Sequence, residues 1–127
     1  MDFRDKKLIP VTKQQLENAS SPPADTYRFR VDGAAVAPAR SGSGDTLRLQ
    51  LGITDGEYQG REVVVVFSFA VLEPIQKLFA ALGLLSGDAE RFSTDDLVGR
   101  SLVAELEFDE VDGGRRFARL RDPRAVA

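Results

Sequence analysis

From Tyr27 onward the chain alternates. Tyr27, Phe29 and Val31 fall on one side and Arg28 and Arg30 on the other, the period of a β-strand. Gly33 interrupts the alternation before Val36. A bulge there lets one strand continue with the bend that a curling sheet needs. The stretch from Pro38 to Asp45, with Ser41-Gly42-Ser43-Gly44 inside it, reads as a loop. Alternation then resumes: Leu47, Leu49, Leu51 and Ile53 face one way and Arg48 and Gln50 the other, up to the turn Asp55-Gly56. Arg61 to Phe69 predicts a third strand, with Val63, Val65, Phe67 and Phe69 toward the core and Val64 and Val66 on a second apolar face.

The period then changes to that of a helix, with Leu72, Ile75, Leu78, Phe79, Leu82 and Leu85 on one stripe, Pro74 in the first turn and Ser86-Gly87 as the stop. Ser93 followed by Asp96 has the spacing of a capping box, and Gly99 closes that one-turn helix. Leu102, Ala104, Leu106 and Phe108 then alternate with Val103, Glu105 and Glu107. After Asp112-Gly113-Gly114, a last strand runs from Arg115 to Arg121. Ala118 and Leu120 suit its core side, which turns Arg115, Phe117, Arg119 and Arg121 outward.

Three strands, a helix and two strands, with a bulge signal in the first, is the element order of a mostly β, five-stranded oligonucleotide/oligosaccharide-binding (OB) Greek-key barrel with one helix between strands 3 and 4. An immunoglobulin-like sandwich would need about seven strands and no such helix. The expected division is an N-terminal arm over 1–25, one barrel domain over 26–121 and a short tail over 122–127. Within the arm, Lys6, Lys7 and Lys13 are interleaved with Leu8, Ile9 and Val11, a helical turn is expected around Gln14 to Asn18, and Ser20-Ser21-Pro22-Pro23 breaks regular structure.

At 127 residues the chain suits one domain, and 43% apolar with 29% charged residues is the composition of an ordinary globular protein. The apolar runs are too short for a membrane helix and the N-terminus lacks the pattern of a signal peptide, so a cytoplasmic protein without a membrane partner is expected. There is no Cys and no His, which removes disulfides, zinc sites with these ligands, Cys or Ser-His nucleophiles and imidazole acid–base chemistry. No catalytic residue, cofactor or metal is therefore expected; a carboxylate-based nuclease is the weakest of the options that remain. Asp109, Glu110 and Asp112 crowd one turn but lack the ligand order of a calcium loop. The formal net charge is −3, yet 13 of the 17 cations are Arg, the side chain of bidentate phosphate contacts. A GC-rich coding genome gives the same bias.

A resemblance adds to this reading. Pro22-Pro23-Ala24-Asp25-Thr26-Tyr27, the Ser41-Gly42-Ser43-Gly44 loop, Asp55-Gly56-Glu57-Tyr58-Gln59-Gly60-Arg61 and Leu97-Val98-Gly99-Arg100 together resemble a family of small phage-encoded single-stranded-DNA-binding proteins, many of them catalogued as a domain of unknown function. The likeness runs from about residue 22 to 121. It departs at Ala24, where the family has Gly, and after Arg61, where the family often carries an aromatic residue. It implies an OB barrel that binds single-stranded DNA without enzymatic activity, beside phage or prophage recombination or replication proteins.

Single strands are held by cations that track phosphates and by aromatic faces that stack on bases. Parity places Arg28, Arg30, Arg48, Arg115, Phe117, Arg119 and Arg121 outward, and with the first strand expected beside both the second and the last, these form one cluster. Arg40 in the glycine-rich loop and Tyr58 in the turn complete the candidate binding residues. Two alternatives stand beside this: Glu105 and Glu107 can pair with the same arginines across strands, and Val64, Val66 and Val103 can form a protein contact, with a second copy or another partner, in an OB module that binds no nucleic acid.

Overall fold

The computed structural model describes residues 8–13, 16, 22–39, 42, 44–111 and 115–126, positions 111 and 115 by their backbone alone. In order they form β1 (Asp25–Pro38), β2 (Asp45–Ile53), β3 (Glu62–Ser68), helix α1 (Leu72–Ala81), a 3-10 turn (Thr94–Asp96), β4 (Ser101–Val111) and β5 (Arg115–Arg124). The described residues are mostly β, one five-stranded sheet closed into a ring in the order β1-β2-β3-β5-β4, with α1 the one α-helix whose bounds fall among them. All neighbours are antiparallel except β3 and β5, which run parallel and meet at Val65 and Ala118.

Alternation set the inner face of this ring as expected. Phe29, Val31, Leu49, Leu51, Leu102, Ala104 and Leu106 are fully buried, and Leu78, Leu82 and Leu84 from the helical segment join the same core. The register of β1 against β2 shifts between Val31 and Gly33, so the bulge lies where the interruption placed it. Opposite this bend, Gly52 leaves room for a neighbour: a Cβ there would overlap the Asp32 carboxylate, which accepts a 2.7 Å hydrogen bond from Arg30 Nε.

Four expectations need correction. The helix stops at Gly83 rather than at Ser86-Gly87. Gly83 has φ +77°, its N–H donates to Ala80 O, and the Leu84 N–H donates to Phe79 O, the paired bonds of a Schellman close, with Leu84 buried beyond it. Because the helix ends early, Leu85 leaves its stripe and is exposed, as is Leu72 in the first turn; Ile75, Leu78 and Ala81 are the residues it buries. Phe69 lies beyond the end of β3 and is exposed rather than in the core. β5 extends past Arg121 to Arg124 because one extra residue is absorbed where Val103 pairs with Arg124 and Glu105 with Arg121; Asp122, at φ 51°, takes up the bulge.

The most consequential correction concerns neighbours. β1 lies beside β2 and β4, not beside β5. A chain that leaves β3 through α1 and lays β4 against β1 leaves the last strand a single gap, between β4 and β3.

Leu49 is fully buried at the centre of β2, against Ala34 on one side and Val65 on the other. Leu49→Ala is expected to cost about 2–5 kcal/mol of unfolding free energy, read as a lower urea midpoint at unchanged slope.

Candidate nucleic-acid interface

The seven-residue cluster expected from parity divides in two. Arg28 and Arg30 project from β1 where it pairs with β4: Arg28 opposite Val103, Arg30 opposite Ser101. Each has a carboxylate near it, Arg28 Nε 3.6 Å from Asp55 Oδ2 and Arg30 Nε 2.7 Å from Asp32 Oδ1. Arg48 lies further along, opposite Ala35 in the second half of β1, and Phe117, Arg119 and Arg121 lie on β5, with β3 between β2 and β5.

There the register builds two rows across the outer surface. Arg48 stands opposite Val66 and Gln50 opposite Val64. The parallel meeting of Val65 with Ala118 sets the flanking outward residues of the two strands side by side, Val64 with Phe117 and Val66 with Arg119. The result is an apolar strip of Val64, Val66 and Phe117, each about half exposed, bordered by Arg48 and Gln50 on β2 and by Arg119 on β5. Among the described residues Arg48 makes no ion pair. Gln50 Nε2 donates to Glu62 Oε2 at 2.6 Å.

On its other side β5 faces acids. Glu107 accepts from Arg119 Nη2 at 2.8 Å and from Arg121 Nη1 at 3.2 Å; Asp109 lies 3.7 Å from Arg119 and Glu105 3.8 Å from Arg121. Hydrogen bonds from Arg119 and then Arg121 hold the Glu107 carboxyl below its ordinary value, and the same bond with Glu107, reinforced by Asp109, raises the Arg119 guanidinium. The cross-strand pairing weighed from the sequence is therefore real for these two arginines. Both remain more than half exposed, and exposed pairs are weak, so either guanidinium can exchange a carboxylate for another anion at small cost.

Tyr58 packs edge-on against Tyr27, ring centroids 6.2 Å apart, and Tyr27 packs in turn on Phe29 at 5.8 Å. Its ring is part of the core margin. Burial, then Asp25, raises the Tyr27 phenol above its ordinary value, and its hydroxyl donates to Pro23 O at 2.7 Å. Arg40 and the Arg115 side chain lie outside the described residues.

Two cations were missed. Arg116 has the parity of Ala118 and Leu120, and its guanidinium lies 4.4 Å over the Phe108 ring; that parity was readable from the sequence. Lys77 reaches β5 from α1: a groove of about 450 Å³ between the helix start and β5 is lined by Lys77, Arg119 and Arg121, by Glu73, Glu107 and Asp122, and by Phe67, Val71 and Pro74 among others, with Lys77 Nζ 3.2 Å from Glu73 Oε1. Nothing local in the sequence ties the helix to β5.

Among the described residues no group of acids is arranged to hold a metal ion, and no helix is long and apolar enough to cross a membrane. Compared with protein-family models and with curated proteins, the chain matches none.

The depressed Glu107 carboxyl makes an acid-stability prediction. A lowered folded-state value contributes stability that is complete above the ordinary value of 4.5 and is lost as pH falls through the depressed one. Unfolding midpoints measured from pH 6 downward should fall below about pH 4.5. Glu107→Gln should reduce that fall, because the titrating partner is gone.

Proposed function

We propose that the ring is an OB-type barrel and that the protein binds single-stranded DNA, non-enzymatically and largely independently of sequence, beside phage or prophage recombination or replication proteins. The strand order β1-β2-β3-β5-β4, the parallel β3–β5 contact and the helix between β3 and β4 support the OB reading. The likeness of the loop and turn motifs to the phage family supports the choice of ligand.

The observation that carries the reading is the strip on β2, β3 and β5. Bases need an apolar or aromatic surface and phosphates need cations a few ångströms to either side, and here Phe117 with Val64 and Val66 lies between Arg48 and Arg119. Strands 2 and 3 are the usual ligand-facing strands of such a barrel, and β5 adds the aromatic ring that they lack. Arg28 and Arg30 belong to a separate surface and contribute little.

Fluorescence anisotropy of a labelled oligothymidylate against salt tests this. With Arg48, Arg119 and Arg121 meeting phosphates, the logarithm of affinity should fall with that of salt at a slope of roughly −2. Arg119→Ala with Arg121→Ala should flatten the slope by about 1–2 units, whereas Phe117→Ala should lower affinity by about 1–3 kcal/mol at nearly unchanged slope. Arg28→Ala with Arg30→Ala should leave both almost as they were. Absence of binding at low salt would remove the proposal.

Val64 and Val66 also favour a second reading, in which this strip is a protein contact and no nucleic acid is bound. Their exchange for Asp would then abolish association with a partner protein while the oligonucleotide titration shows nothing for the wild type.

A further inference from the structure

We infer that the N-terminal segment of one copy docks, through Leu8, Ile9 and Val11, into the apolar groove that α1 and the β1–β2 end of the ring form on a second copy. The groove has a volume of about 390 Å³ and is lined by Val36, Leu47, Leu72, Phe79, Leu85 and Phe92 among others. It is a surface feature: Leu72 is 67% exposed, Val36 54% and Leu85 47%. Side chains exposed singly are ordinary, but a contiguous apolar depression of this kind marks a place where something binds. Phe92 is held in it by an edge-on contact with Phe79, ring centroids 5.0 Å apart.

The candidate occupant is on the same chain. Leu8 is 97% and Ile9 77% exposed, with Val11 and Leu16 open beside them, so their own copy leaves them uncovered. Charge matches as well. The segment carries Arg4, Lys6, Lys7 and Lys13 against Asp2 and Asp5, while the loop that brings Phe92 to the groove carries Asp88, Glu90, Asp95 and Asp96 against Arg91. Those four acids are exposed. A basic segment with an apolar centre is therefore matched with an apolar groove whose wall at Phe92, Ser93 and Thr94 belongs to an acidic loop.

Placement, rather than reach, points to the second copy. The segment joins the ring at the start of β1, where Asp25 pairs with Leu106, and Val36 lies near the other end of the same strand. That is roughly 35 Å of strand path at about 3.3 Å per residue, and the chain from Leu8 to Pro22 can span about 46–50 Å. Within one chain Leu8 and Ile9 nevertheless lie open and the groove stays uncovered. Reciprocal exchange of segments between two copies covers both surfaces and closes a dimer.

Sedimentation of the full chain over a concentration series tests the proposal. Wild type should shift from one 13.9 kDa chain to twice that mass. Leu8→Asp with Ile9→Asp, and separately Leu72→Asp with Leu85→Asp, should each stay monomeric; all four positions are exposed, so circular dichroism should remain that of the wild type. Mixing the two variants should restore a heterodimer, because the first keeps an intact groove and the second an intact segment. Wild type that stays monomeric at every concentration, a variant that assembles like the wild type, or a mixture that stays monomeric would overturn the proposal. So would assembly abolished only by Val64→Asp with Val66→Asp, which would place the contact on β3. A monomeric wild type in which Leu8→Asp with Ile9→Asp speeds hydrogen exchange around Phe79 and Phe92 would mean docking within one copy, and would overturn it too.

Discussion

The bend in β1 is the constraint from which the rest of the ring follows. Its first half pairs with β4, from Asp25 to Arg30, and its second with β2, from Phe29 to Pro38, so the two pairings overlap only briefly. Closing five strands requires them to tilt and stagger, and a straight β1 would carry β2 and β4 away from each other. The register shift between Val31 and Gly33 turns the strand at the changeover. Val31 also holds the approach to β4: its N–H donates to Arg100 O and its carbonyl accepts from the Gly99 N–H, both at 2.8 Å. The last residue of the β1–β2 register before the bulge, paired with Leu51, thus has both backbone groups bonded on its other edge, as a buried residue must.

Once β4 is fixed against β1, β5 has a seam on each side, and the two seams differ in chemistry. Toward β4, Arg119 and Arg121 face Glu105, Glu107 and Asp109; toward β3, Phe117 and Arg119 face Val64 and Val66. One edge of β5 is charged and largely neutralised, the other apolar. The division arises from neighbours rather than from composition, since outward parity on β5 alone yields the same Arg-Phe-Arg series in either setting.

This explains what was legible in the sequence. Period-two alternation reports which face of a strand is buried, and Leu47, Leu49, Leu51 and Ile53 lie where it put them. It is silent about which strand lies alongside, so Arg28 and Arg30 were grouped with Arg119 and Arg121 although β4 stands between them. Phe117 illustrates the cost: its outward direction was readable, but its place beside Val64 and Val66 depends on a parallel contact between residues far apart in sequence. At the helix end the difficulty was different. Phe79 to Leu85 is apolar throughout apart from Gly83, and the periodic stripe passed over the one residue whose left-handed backbone ends the helix.

On the proposed reading, the acids of β4 define the ligand path as much as the arginines do. A phosphate chain laid along β4 would meet Glu105, Glu107 and Asp109, like charges whose repulsion is least screened at low salt, where such complexes are otherwise tightest. Displaced toward β3, the same chain keeps Arg119 within reach, gains Arg48 and places its bases over Phe117, Val64 and Val66. A modest net charge of −3 is therefore compatible with a defined cationic border: the negative charge on β4 confines the polyanion to one side of β5.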